Sequence, residues 1–302
     1  MHPRMGDELR DRVIAELPEV TVDVVHEVTV DPPDLDGYEV LVANTFPAGM
    51  LGRCRRLRWL QLTSTGTDQV AAGRPRPGLL VTHAGSIPAR AVAEFVLMGM
   101  LALAKDAPAL VRQQDARIWR LPDARLLAGG TLVLLGVGHV GREVARRARC
   151  FDMRVVAVTR RGRPSAHADE TVSTAGLRAA AGRADHLVVA VPGTAETRGL
   201  VGPDVIAALP PGACLINVAR AAVLDVPAVV TALRTGRLHA ALLDVHDQEP
   251  LPPDSPLWAV DRLWITPHSA FRYPGETADL ADLICQNFRS LQAGETLRNL
   301  VS

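Results

Sequence analysis

The chain has 302 residues, 48% of them hydrophobic, which is enough for two domains with a core each. Lys+Arg and Asp+Glu both number 33, so the formal net charge is zero and the electrostatic footprint of a nucleic-acid or anionic-membrane binder is excluded. The expected ligands are small molecules. Nearly every cation is Arg, with Lys105 the only lysine, a compositional bias that carries little functional information. Cys54, Cys150, Cys214 and Cys285 are widely spaced, with no C-x-x-C and no metal-ligand pattern. They read as buried thiols in a reducing cytoplasm, and no metal is expected. The charges from Arg4 to Arg12 are not followed by an apolar core, so no signal peptide is expected. The most apolar stretch, Phe95 to Ala104, is far shorter than the ~18–20 residues of a membrane span and reads as a buried helix.

In chain order, residues 7–17 have helical spacing, Val20 to Val25 alternates as a strand does, and Asp31–Pro32–Pro33 marks a turn. Tyr38 to Ala43 is the next expected strand. A helical segment through Leu51 leads to a strand at Leu57 to Leu62, which ends in the loop Ser64–Thr65–Gly66–Thr67–Asp68. This first part is a small α/β unit. Gly78 to Thr82 is a further short strand, and Pro88 opens a helix that runs to about Lys105, because a helix start tolerates the missing N–H. The segment on to Ala128, with Gln113, Gln114 and Trp119, reads as a connecting arm.

From Thr131 strands are expected at 131–135, 154–158, 186–191, 214–218, 240–245 and 263–266. Strands apolar almost throughout are buried on both faces, and their alternation with helical segments implies a doubly wound parallel α/β sheet. A last helix, roughly Glu276 to Gly294, is placed to return to the first domain.

The first of these strands stops at Gly136, and Gly138 and Gly141 follow before an Arg-rich amphipathic segment that runs to Phe151. Gly136 permits a sharp turn, Gly138 leaves room for a pyrophosphate against the backbone, and Gly141 lets helix and strand pack closely. His139 and Val140 open the helix, whose N-terminus then faces the phosphates. Strand, glycines and helix together mark a dinucleotide site. The second strand ends in Thr159, followed by Arg160, Arg161 and Arg163, with no carboxylate to bind adenine-ribose hydroxyls. Clustered guanidiniums suit a 2′-phosphate, so NADP(H) is preferred and NAD(H) stays open; the other reading is a solvated basic turn.

Arg220, Glu249 and His268 lie at the ends of later strands, where open α/β sheets bind ligands. Singly, each reads equally well as a surface or loop residue. Together, a guanidinium, a carboxylate and an imidazole suit reduction of a 2-oxoacid. Asn217 to Asp225, Leu243–Asp244–Val245 through Glu249–Pro250–Leu251–Pro252, and Thr266–Pro267–His268 resemble signatures of the D-isomer-specific 2-hydroxyacid dehydrogenases. Val92–Ala93–Glu94 and the Ser64-to-Asp68 loop extend the resemblance over nearly the whole chain.

The resemblance implies a Rossmann cofactor domain at 88–269. It also implies a smaller flavodoxin-like substrate domain at 1–87, completed by the returning C-terminal helix in 270–302. His268 would be the acid that protonates the carbonyl oxygen, paired with Glu249, which would raise its pKa, and Arg220 would bind and polarise the substrate. Backbone N–H groups of Thr65 and Gly66 would hold the substrate carboxylate. Asp244 would orient the nicotinamide carboxamide, and Val191, Pro192 and Thr197 would line the cofactor. The active site would lie between the domains, and the helix from Pro88 would form a homodimer.

Three features depart from the family pattern. Ala219 and Ala221 replace its Ser or Gly and its Gly, His83 stands where Asn is common, and the first domain is expected to lack an edge strand. The substrate indicated is a small 2-oxoacid such as glyoxylate or hydroxypyruvate. The alternatives are an NAD-dependent phosphoglycerate-type dehydrogenase and a dinucleotide-sensing, corepressor-like binding protein.

Overall fold

Two separate parallel sheets form in the computed structural model, which describes residues 3–25, 37–73 and 75–301. The chain divides into two units, Met1–Pro88 with Tyr273–Ser302, and Ala89–Arg272.

In the first unit, helix α1 (Pro3–Glu16) is followed by strand β1 (Val40–Ala43), helix α2 (Met50–Arg53), β2 (Trp59–Leu62), α3 (Gln69–Gly73) and β3 (Leu80–Thr82). The sheet order is β1-β2-β3. Side chains alternate along β2. Trp59 packs with Leu9, Val13 and the C-terminal helix (Glu276–Ala293), whereas Leu60 and Leu62 pack with Met50, Leu51 and Leu57. Gln61 is fully buried and accepts from Thr82 Oγ1 at 2.7 Å and from Asn287 Nδ2 at 3.1 Å. Asn287 in turn accepts from the Arg298 N–H at 2.7 Å, so the C-terminal helix and its tail are hydrogen-bonded into this sheet.

Val20 to Val25 is not a strand: it has no ladder among the described residues, and Val20 and Val22 pack on the cluster around Leu9 and Trp59. One-sided burial of an irregular segment gives the same alternation as a strand. No strand precedes α1 among the described residues, and the turn expected at Asp31–Pro32–Pro33 lies outside them.

In the second unit, α4 (Ala89–Ala104) and α5 (Ala107–Asp115) precede β4 (Thr131–Leu135), α6 (His139–Arg149), β5 (Arg154–Thr159) and β6 (Glu170–Ser173). Then come α7 (Leu177–Ala181), β7 (His186–Val189), α8 (Pro203–Ala208), β8 (Ala213–Asn217), α9 (Val226–Arg234), β9 (Leu238–Leu243) and β10 (Leu263–Ile265). The seven parallel strands lie in the order β10-β9-β8-β7-β4-β5-β6. The chain therefore starts in mid-sheet at β4, winds to one edge and returns through β7 to wind to the other. The order reverses between β4 and β7, the point where such sheets open a ligand crevice. Leu132 and Leu134 face a core shared with α4 and α6, while Val133 and Leu135 face one shared with α7, α8 and α9. Each fully buried Leu or Val contributes roughly 1.5–3 kcal/mol.

Beyond the expected elements are α3, a short helix after the Ser64-to-Asp68 loop, and two more. Edge strand β6 is half-exposed and has no apolar run, and α5 occupies part of the segment expected to be a connecting arm. Cys54, Cys214 and Cys285 are buried, but Cys150, at the end of α6, is exposed, which corrects the expectation of four buried thiols.

His186 opens β7, is 5% exposed, and its Nδ1 makes no hydrogen bond among the described residues. Burial lowers its pKa from 6.5 to about 4, with Arg125 and His239 adding to the effect and Asp185 opposing it. The unfolded chain takes up this proton below about pH 6.5 while the folded chain does not, so stability is full above that pH and declines towards pH 4. Keeping the imidazole neutral to that pH corresponds to about 3 kcal/mol. The variant His186→Phe is expected to escape this loss. Chemical denaturation at pH 7 and at pH 4.5 should show the parent losing about 2–3 kcal/mol relative to the variant; identical pH dependence in the two proteins would contradict the assignment.

Candidate active site

β4 stops at Gly136, whose φ of +99° L side chains rarely adopt. A Cβ there would lie 2.6 Å from Ala190 O and 2.9 Å from Val191 Cγ1, so the ends of β4 and β7 converge on this residue. Gly141 packs against Gly136 itself: its Cβ would lie 2.9 Å from the Gly136 carbonyl carbon and closer still to the oxygen. Gly138, the residue that caps α6, differs from both. Its φ is −68° and a Cβ there would meet nothing within 4 Å. Neither the backbone nor the chain's own packing demands glycine at 138, whereas a group brought against the turn from outside would. α6 opens at His139 and Val140 with no side-chain cap and no acidic residue in its first turn. Its N–H donors and positive dipole end are therefore available to an anion, and a pyrophosphate fits this cradle.

At the end of β5, Thr159 Oγ1 accepts the Gly162 N–H at 3.1 Å and closes a turn. Arg160, Arg161 and Arg163 are exposed on it and form no salt bridge among the described residues, whereas Arg149 pairs with Asp169, and Arg154 and Arg183 pair with Glu170. In the turn after β7, Thr197 Oγ1 donates to Pro192 O at 2.7 Å and accepts from the Thr194 N–H at 2.8 Å, which holds the Val191–Pro192 segment in place. Hydrogen bonds from Thr194 and from the Glu196 N–H, with help from the Arg160 charge, lower the Glu196 carboxyl.

Arg220 follows β8. Buried Asn217 accepts from the Ala219 N–H at 3.0 Å and donates to Arg220 O at 3.1 Å, which wraps the strand end into a turn. The guanidinium donates to Ala219 O at 2.9 Å, and the side-chain stem passes over Gly193, where a Cβ would lie 2.8 Å from Arg220 Cγ. Gly193 thus makes room for Arg220, a role no motif marks in the sequence. Ala219 and Ala221 are buried and neither has a positive φ, so alanine fits both positions.

The ends of β9 and β10 carry the densest set of polar contacts. Asp244, 1% exposed, accepts from Thr266 Oγ1 at 2.7 Å, the Ser269 N–H at 2.9 Å and the Ala270 N–H at 3.0 Å. Its carboxylate therefore shapes the loop on which His268 sits. Glu249 accepts the His246 N–H at 2.9 Å through Oε1, and its Oε2 lies 2.7 Å from His268 Nδ1. A carboxylate has no proton of its own to offer there, so Nδ1 carries the hydrogen and Nε2 is left to exchange a proton with a ligand. His268 has a φ of +50°, unusual for any residue but glycine, and the residues pinned by Asp244 lie on both sides of it. The Phe271 ring meets the imidazole edge to face at 6.0 Å between centroids.

In the first unit, the Thr65–Gly66 loop follows β2. Thr65 Oγ1 donates to Gly85 O at 2.9 Å and the Ala84 N–H donates to Ser64 O at 2.9 Å, so this loop is braced by the chain that leaves β3. His83 accepts the Gly85 N–H through Nδ1 at 3.0 Å, a turn-forming contact. Among the described residues, no group of three or more His, Cys, Asp or Glu could hold a metal ion, and no helix is long and apolar enough to cross a membrane.

The family model for "D-isomer specific 2-hydroxyacid dehydrogenase, NAD binding domain" matches residues 97–270. A glyoxylate reductase of Aeropyrum pernix is 30% identical over 281 residues, covering 89% of this chain and 83% of that protein. Glyoxylate/hydroxypyruvate reductase B of Pectobacterium atrosepticum is 29% identical over 311 residues, covering 100% and 97%. Among solved structures, a D-isomer specific 2-hydroxyacid dehydrogenase from Xanthobacter autotrophicus Py2 in complex with NADPH and MES is 30% identical. It has a TM-score of 0.84, covering 98% of this chain and 95% of that one.

Proposed function

Because the chain belongs to the D-isomer specific 2-hydroxyacid dehydrogenases, a family of NAD(P)-dependent oxidoreductases, we propose that it reduces a small 2-oxoacid such as glyoxylate or hydroxypyruvate, with NADPH as the preferred cofactor. The observation that carries this reading is the Glu249–His268 pair at 2.7 Å, held from behind by the His246 N–H.

The nicotinamide, when bound, supplies the hydride. His268 then donates a proton from Nε2 to the carbonyl oxygen, and takes it back in the reverse direction. Glu249 holds the imidazole in the tautomer and orientation this needs. Arg220 binds the substrate carboxylate and polarises the carbonyl, with backbone N–H groups of Thr65 and Gly66 as further donors. Gly136, Gly138, His139, Val140 and Gly141 cradle the pyrophosphate, Val191, Pro192 and Thr197 line the cofactor, and Asp244 keeps about one acceptor position for its carboxamide. A small substrate is favoured because no Lys or Arg stands between Arg58 and Arg74, on the strand and loop that carry Gly66, to hold a substrate phosphate.

A homodimer belongs to this reading. The apolar face of α4 is taken up by its own core, whereas Val111, Ile118, Trp119, Leu121 and Leu126, on and after α5, are exposed and offer the surface a second copy would cover.

NADPH preference is assigned to Thr159, Arg160 and Arg161. Charge-assisted bonds to a phosphate contribute about 1.5–3 kcal/mol, so the double variant Arg160→Ser, Arg161→Ser is expected to raise KM for NADPH about ten- to hundredfold. KM for NADH should change less than about threefold, since NADH has no 2′-phosphate to lose. Equal losses with the two cofactors in steady-state kinetics would overturn the assignment.

A further inference from the structure

We propose that His246 is a positioning residue for the acid–base pair, tying the segment that carries Glu249 to the segment that carries His268. This rests on the reading of His268 as the proton donor.

His246 has two arms. Its backbone N–H donates to Glu249 Oε1 at 2.9 Å, and its imidazole Nε2 lies 3.0 Å from Thr266 O. A carbonyl only accepts, so Nε2 carries the proton. An imidazole and an imidazolium both have that N–H available, so the link survives protonation of the ring.

What the imidazole holds is the peptide between Thr266 and Pro267, two residues before His268. Proline has no N–H, so the Thr266 carbonyl is the only hydrogen-bonding group on that peptide. The rest of Thr266 is already fixed, with its N–H on Leu243 O at 3.1 Å and its hydroxyl on Asp244 at 2.7 Å. On the far side of His268, the Ser269 and Ala270 N–H groups are fixed on the same aspartate. His246 therefore completes a bracket around a residue in the left-handed region, a conformation that persists only when its surroundings impose it. The same residue aims Glu249 at His268 from the opposite side. Without the imidazole, water would compete for the Thr266 carbonyl in this half-exposed place, and the distance between Nδ1 and Oε2 would no longer be preset. Small misplacements of a reacting group are costly in rate while leaving ground-state binding nearly intact. The dinucleotide turn at Gly136 to Gly141 lies between β4 and the first turn of α6, on a different strand end from these segments, so its hold on the pyrophosphate is insulated from the change.

The test compares His246→Phe, which fills the space and cannot donate, with His246→Gln, which keeps a side-chain N–H of similar reach. The first is expected to lower kcat about ten- to hundredfold with KM for NADPH and 2-oxoacid within about twofold of the parent, and the second to recover most of the loss. Hydrogen exchange gives a readout independent of turnover: the Ser269 and Ala270 amides should exchange faster in the phenylalanine variant and at the parental rate in the glutamine variant. Parental kcat and parental exchange in His246→Phe would overturn the proposal, as would a glutamine variant as impaired as the phenylalanine variant. If the parent turns over no 2-oxoacid, the functional reading fails, and the exchange rates alone decide whether His246 braces the loop.

Discussion

Replacing His268 with alanine is expected to lower kcat for 2-oxoacid reduction by about 10²–10⁴-fold, the usual contribution of a general acid, while the affinity for NADPH stays at the parental value. The imidazole is the only group in the β9–β10 loops that combines a fixed carboxylate partner, Glu249 at 2.7 Å, with a second nitrogen left for a ligand. Loss of the ring removes the nitrogen assigned to proton donation and leaves the Gly136-to-Gly141 turn untouched. Asparagine, like histidine, is enriched among the residues that adopt a positive φ, so His268→Asn is the companion variant for the folding control at this φ of +50°. Glu249→Gln is expected to be milder, near tenfold, because the amide oxygen still accepts from Nδ1 while its charge is gone. The prediction is checked by steady-state kinetics together with a cofactor-binding titration. A His268→Asn protein that is folded, binds NADPH and turns over within tenfold of the parent would contradict the role.

The second large effect separates two glycines only three residues apart. A Cβ on Gly141 would press into the Gly136 backbone carbonyl, which cannot give way without moving the strand end. Overpacking of this kind costs about 1–3 kcal/mol and sometimes more, so Gly141→Ala is expected to lose stability and dinucleotide affinity together. A Cβ on Gly138 would touch nothing in the chain, so Gly138→Ala is expected to denature with the parent and yet bind NADPH at least tenfold more weakly, because the methyl group enters the space a pyrophosphate needs. Denaturation midpoints and fluorescence titrations of both variants give the comparison. Parental affinity in Gly138→Ala would show that the turn does not cradle the phosphates.

The strands of the large sheet were legible because each central strand is an apolar run buried on both faces, as at Leu132 to Leu135 and Leu215–Ile216. β6 was not, since Glu170–Thr171–Val172–Ser173 sits at the edge, half-exposed, and needs no apolar run. Val20 to Val25 shows the converse error, alternation without a neighbouring strand among the described residues. At the candidate site, the ionisable residues that end strands stand out in the chain alone. The contacts that hold them in place do not. Gly193 matters through a side chain 27 positions away, Asp244 through amides of residues 269 and 270, and His246 through a carbonyl at 266. Such pairings follow from which strand ends lie side by side in the sheet, which no local pattern encodes.

The central claim is tested most directly by the initial rate of NADPH oxidation when the purified protein is offered glyoxylate or hydroxypyruvate, with pyruvate, bulkier 2-oxoacids and NADH run in parallel. Oxidation that requires the 2-oxoacid, is faster with NADPH than with NADH, and disappears in the His268 variants is the predicted result. Tight binding of both cofactors with no turnover on any of these acids would contradict it and point instead to a protein that senses dinucleotides.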